Sequence, residues 1–101
     1  MLNIEKKMDD NALFMTLEGK IDTLTAPDLE AEIEPLLGEL TSLTLDFEKV
    51  DYISSAGLRV LLATQQAMEE RSLGAIRIIH ANEAIRDIFD ITGFAGILSL
   101  E

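Results

Sequence analysis

The spacing of apolar residues changes period along this chain, and the order of the changes limits which folds are open to it. Leu2 and Ile4 alternate with Asn3 and Glu5, so the chain opens on a short strand suited to a sheet edge. Asp9-Asp10-Asn11 signals a turn, and Ala12 to Leu17 predicts a second strand that ends at Gly19. Two strands joined this closely form a hairpin. The period then lengthens. Leu29, Ile33, Leu36 and Leu37 fall on one helical face, with Thr25 placed as the cap and Asp28 completing a capping-box-like pattern. Pro35 should bend or shorten the last turn, and Gly38 stands where a C′ residue belongs.

Alternation returns at Leu43, Leu45 and Phe47. Ser54 to about Arg71 predicts a long helix with Leu58, Leu61 and Leu62 as its apolar face, and Ala75 to Ile79 a buried strand. Asn82 caps a last helix with Ile85, Ile88 and Phe89 inward; Gly93 stops it and places Phe94 against Phe89. Ile97 to Leu100 predicts a final short strand. The order β-β-α-β-α-β-α-β describes an α/β fold with a mixed central sheet of about five strands, a hairpin first and right-handed crossovers after it, and helices packed against the sheet. No repeat, linker or low-complexity stretch divides the chain, so residues 1–101 are expected to form one domain.

Composition removes several classes of function. There is no cysteine, which excludes disulfides, thiol catalysis and thiolate metal sites, and fits a reducing cytoplasm. The formal charge of −11 repels phosphate backbones and anionic lipid, so neither nucleic acid nor membrane is an expected partner. A basic protein surface is easier to accommodate. The first residues, Met1 to Lys7, hold no apolar leader core, and no stretch is long and apolar enough to span a bilayer. No Walker-type phosphate loop and no calcium-loop spacing occurs, so no cofactor or metal is expected. His80 is the one histidine and could serve a serine as general base, but the serines here lack the Gly-x-Ser-x-Gly context of a nucleophile elbow.

The chemistry concentrates in Asp51-Tyr52-Ile53-Ser54-Ser55-Ala56-Gly57-Leu58-Arg59. Two serines sit where a loop enters a helix, at free backbone N–H groups and positive partial charge. A capping hydroxyl is the ordinary reading of either serine. The same donors would also stabilise a phosphate. Gly57 is expected to leave one side of the first turn bare, open to a partner's backbone or a nucleotide phosphate. Arg59 lies one turn after Ser55 and could meet a phosphate or an acidic group, or be a solvated helix arginine. Asp22 is a partner-facing acid or a turn residue bonding its own backbone. Asp46 is expected at its strand's end, close to Ser55, where it fixes the loop by hydrogen bonding, touches the partner or is a solvated strand-end carboxylate.

Ser54-Ser55-Ala56-Gly57-Leu58-Arg59-Val60-Leu61-Leu62 resembles the signature of the STAS domain of bacterial anti-sigma-factor antagonists. Gly19-Lys20-Ile21-Asp22 with Thr25-Ala26 resembles an earlier segment of that family, and Phe89-Asp90-Ile91-Thr92-Gly93-Phe94 a later one. The three come in the family's order and spacing across nearly the whole chain. The resemblance implies a monomeric, non-enzymatic switch. It binds a GHKL-type serine kinase that also acts as an anti-sigma factor, is released when phosphorylated on serine, and is restored by a PP2C-type phosphatase. Alignment on Gly57-Leu58 puts Ser55 at the acceptor position, with Ser54 in place of the family's aspartate and as the alternative acceptor. Asp22 matches an acidic position at that family's partner surface, and the surface expected to meet the partner comprises Asp22, Thr23, Asp46, Ser54, Ser55, Ala56, Gly57 and Arg59. The rival expectation is a ligand-sensing or scaffolding STAS module in which Ser55 is only a cap.

Overall fold

A computed structural model describes all 101 residues. Strand β1 (Leu2–Asp9) and strand β2 (Ala12–Ile21) pair antiparallel from Leu2↔Gly19 to Asp9↔Ala12. The two residues between them, Asp10 and Asn11, have φ of 49° and 69°. This is the left-handed geometry of a two-residue hairpin turn, which aspartate and asparagine tolerate. Helix α1 (Ala26–Ile33), strand β3 (Ser42–Ile53), helix α2 (Ser55–Glu70), strand β4 (Arg77–Ile79), helix α3 (Glu83–Thr92) and strand β5 (Ser99–Leu100) follow. The sheet order is β1-β2-β3-β4-β5, with every pair after the first parallel. The expected mixed sheet and element order are therefore present.

Successive crossovers in one direction place all three helices on one face of the sheet. On α1, Glu32 pairs with Lys6, which stands opposite buried Met15. On α2, Gly57 faces Ile21 and Ile53, and on α3 the Phe89 ring lies 6.3 Å from that of Phe47. Leu13, Met15, Leu17, Leu43, Leu45 and Phe47 line this face and join one buried apolar cluster with the helices. The opposite face, which carries Phe14, Thr16, Asp46 and Arg77, has no covering element.

Several local expectations need correction. Strand β2 does not end at Gly19 but runs through it to Ile21. Gly19 has φ of +119°, and a Cβ there would collide with the Met1 carbonyl, so it is a strand position that only glycine fills. Strand β3 runs six residues beyond Phe47, to Ile53. Opposite β2 it carries two extra residues, one between Asp46 and Lys49 and one between Val50 and Tyr52, so its buried residues there fall three apart, at Phe47, Val50 and Ile53. Pro35 shortens the last turn as expected: helix α1 stops at Ile33 and passes into a single 3₁₀ turn, Glu34–Leu36. Gly38 is not a left-handed stop, since only Gly19 and Gly93 among the glycines have positive φ. The buried face of α2 is Gly57, Val60, Leu61, Thr64, Gln65 and Met68; Leu58 and Leu62 are half-buried flanks. The fourth strand is shorter than expected, three residues rather than five. The final strand is two residues, Ser99–Leu100, rather than four from Ile97, because a 3₁₀ turn over Phe94–Gly96 takes up the chain before it. The last helix follows the sequence closely. The Asn82 side chain accepts the Ile85 N–H at 2.9 Å, Gly93 is left-handed, and Phe94 stacks 6.5 Å from Phe89.

Candidate partner-binding site

The carboxyl ends of β2 and β3 meet at the pair Ile21↔Ile53. The Ser54 N–H donates to the Ile21 carbonyl at 2.8 Å, which ties the start of α2 to the end of β2. Ser54 itself is extended, with φ −94° and ψ 175°; its carbonyl accepts the Leu58 N–H at 3.0 Å and its hydroxyl the Gly57 N–H at 3.4 Å. It is the N-cap. Ser55 is the first helical residue, exposed, and its hydroxyl takes part in no hydrogen bond. The N–H groups of Ser55 and Ala56 point out of the helix with no intrahelical acceptor. The two adjacent serines thus divide the roles: one closes the helix and the other presents a free hydroxyl at its positive end.

The loop beside them is held by Asp22. One carboxylate oxygen accepts the Leu24 N–H at 2.9 Å, the Thr25 N–H at 3.1 Å and the Thr25 hydroxyl at 3.2 Å. Thr25, 6% exposed, shares that single hydroxyl proton with the Lys20 carbonyl, the nearer acceptor at 2.7 Å, and its hydroxyl oxygen accepts the Asp22 N–H at 2.8 Å. The N–H of Thr25 is the main cause holding the Asp22 carboxyl below its ordinary range, helped by that of Leu24 and by the Thr25 hydroxyl against some desolvation. Thr25 therefore does not cap α1 with its side chain, as the sequence suggests; its hydroxyl is turned back into this loop. The start of α1 is instead served by the Asp22 carbonyl, which accepts the Ala26 N–H at 2.8 Å. Asp22 is a turn-forming residue at the edge of the site.

Between α1 and α2 runs a shallow groove of about 370 Å³. Thr23, Ala26 and Pro27 line one side, and Ala56, Arg59 and Val60 the other. Arg59 is exposed and makes no ion pair. Asp22, Thr23, Ser54, Ser55, Ala56 and Arg59 are thus brought to one end of the molecule.

Two expected members fall outside this surface. Gly57 is buried, not bare. A Cβ on it would lie 2.6 Å from Ile21 Cγ2 and 2.7 Å from Ile53 Cγ1, so glycine here lets the helix settle on the strand ends rather than admitting a partner. Asp46 is not beside Ser55. Because β3 continues to Ile53, Asp46 lies seven residues back, roughly 20 Å at about 3.3 Å per residue, and on the uncovered face. There its carboxylate accepts the Glu48 N–H at 3.0 Å and lies 3.1 Å from His80 Nδ1. His80 is therefore engaged with Asp46, and no histidine–serine pair forms. Asp46, Glu48 and His80 bring donor atoms within 4.8 Å of one another, with Glu48 and His80 exposed.

One residue of this region escapes a sequence reading. Leu24, at the crest of the Asp22 turn, is 84% exposed. The available signal is a large apolar residue in a position that turn chemistry gives to Gly, Asn, Asp or Ser.

Against known proteins, a model of the STAS domain matches residues 3–101. The anti-sigma-B factor antagonist of Bacillus subtilis is 27% identical over 99 residues, which are 98% of this chain and 90% of that protein. The fold is similar to that of the anti-sigma factor antagonist SpoIIAA in its unphosphorylated form, with a TM-score of 0.80 at 17% identity, covering 98% of this chain and 87% of that one. It is equally similar to the phosphorylated form of the Bacillus cell fate determinant SpoIIAA, with a TM-score of 0.78 at 18% identity, covering 98% and 91%. No helix of this chain is long and apolar enough to cross a membrane.

Proposed function

The chain belongs to the STAS domain family, and from that premise we propose that it is an anti-sigma factor antagonist whose binding is switched by phosphorylation of Ser55. In its unmodified form it binds a GHKL-type serine kinase that doubles as the anti-sigma factor. Transfer of a phosphate to Ser55 releases it, and a PP2C-type phosphatase restores it. The cycle runs in the cytoplasm, and the chain itself, a monomer between encounters, carries out no catalytic step. The observation that carries this reading is the division of labour at the start of α2: Ser54 holds the cap while the exposed Ser55 hydroxyl is free.

Physical chemistry supports the switch from both sides. A phosphate adds about −1.5 to −2 charges. The outward N–H groups of Ser55 and Ala56, and Arg59 one turn on, can receive it, so the fold need not change. A partner seated on Thr23, Ala56 and Arg59 would meet that charge across a desolvated contact, next to Asp22, where like charges are costly.

The test is capture with the unmodified chain in extracts of its native cells, followed by incubation of the captured proteins with ATP and site-resolved mass spectrometry. The expected result is a GHKL-type kinase that places phosphate on Ser55. Recovery of no such kinase, or phosphate on Ser54 instead, contradicts the reading.

A further inference from the structure

Residues of a tight turn are ordinarily small or polar, because such side chains serve the turn's own backbone. Leu24 does neither. It is 84% exposed and has no part in the apolar core. Its position is nonetheless fixed: its N–H is bonded to Asp22 at 2.9 Å, and the next residue, Thr25, is buried and bonded to Lys20 and Asp22. The turn holds an apolar side chain in water with no local gain. Departures from local rules without local compensation belong at contact sites. Ile91 is as exposed, but it lies in the last turn of α3, at the end of the molecule away from the start of α2. Leu24 instead adjoins Thr23, which shares a groove with Ala56 and Arg59 beside Ser55.

We infer that Leu24 is the apolar anchor by which this surface grips its partner, an inference that rests on the antagonist reading. The occupant it fits is a pocket on the kinase large enough for one leucine side chain and bordered by basic groups. The pocket follows from the side chain's shape and exposure. The basic border follows from charge: Asp22 and Asp28 stand two residues before and four residues after the anchor in the sequence, on a chain of net charge −11. Because the turn is ordered before contact, docking Leu24 immobilises little backbone, which is how a single side chain comes to dominate an interface.

The probe is the kinase recovered with the unmodified chain, purified and titrated by calorimetry against the wild type, Leu24→Ala, Leu24→Met and Ser55→Asp. Leu24→Ala should weaken binding at least about tenfold, the loss typical of an interface anchor. Leu24→Met should stay within about threefold, since volume and apolarity are kept. The melting temperature of Leu24→Ala should stay within a few degrees of wild type, because the site is exposed. If Leu24→Ala binds as wild type while Ser55→Asp binds weakly, the anchor is refuted and the antagonist reading stands. If both bind as wild type, or no kinase is recovered, reading and anchor fall together. If the wild type alone self-associates and Leu24→Ala abolishes this, the occupant is a second copy and the kinase pocket is refuted.

Discussion

Replacing Gly57 by alanine tests whether the glycine of the helix-start motif is there for packing or for access. The added methyl would sit 2.6 Å from Ile21 Cγ2 and 2.7 Å from Ile53 Cγ1, well inside van der Waals contact. Neither neighbour yields easily. Both are branched at Cβ and stiff at χ1, and they are only 0% and 2% exposed. Either α2 lifts from the strand ends or the isoleucines leave their rotamers, an overpacking cost of about 1–3 kcal/mol. Alanine's better helix propensity offsets at most about 1 kcal/mol, and less in a first turn. The net expectation is a destabilisation of about 1–2 kcal/mol, or a fall in melting temperature of roughly 4–15 °C for a chain of this size. Urea unfolding followed by circular dichroism, with the slope compared to detect loss of two-state behaviour, gives the value. A variant as stable as wild type, or more so, would refute the packing argument and return Gly57 to the exposed surface.

Leu61 is fully buried on α2, so Leu61→Ala should destabilise by about 2–5 kcal/mol in the same assay, and a loss below about 0.5 kcal/mol would place it outside the core. The Asp22 carboxylate has its folded-state pKa lowered by the hydrogen bonds it accepts, so its contribution to stability is present above about pH 4 and lost as pH falls through the lower folded value. Asp22→Asn should therefore be less stable than wild type at pH 7, with the gap narrowing below about pH 4 in paired thermal melts; an unchanged gap at pH 3 would contradict the role given to the carboxylate.

The alternation of strand and helix periods was enough to read the element order, because each element buries one regular face. Both ends of α3 were legible in detail, since Asn82 and Gly93 are residues whose chemistry permits few other uses at those positions. What escaped reading lies where periodicity breaks. The two extra residues in β3 change the spacing of its buried positions, so its last residues did not look like strand and Asp46 looked like a strand end. Helix α2 buries Gly57, Thr64 and Gln65, residues a hydrophobic count passes over; Gln65 is held there by accepting the Ile76 N–H at 2.8 Å. Thr25 has the right identity for a cap, but its hydroxyl finds nearer partners in Lys20 and Asp22. At the candidate site, the serines and Arg59 were legible as types at the right spacing. Which serine caps and which is free required coordinates, because the choice depends on where β3 ends.

The central claim is that charge on the Ser55 hydroxyl releases the partner while leaving the fold intact. The direct measurement is the affinity of the partner kinase for the chain homogeneously phosphorylated at Ser55, set against the unmodified chain in the same buffer, with circular dichroism of both. A loss of about 3 kcal/mol at the interface corresponds to binding weakened by more than a hundredfold. That ratio, with superimposable spectra, is the predicted result. Equal affinity for the two forms would contradict the mechanism, and so would weak binding accompanied by unfolding of the modified chain.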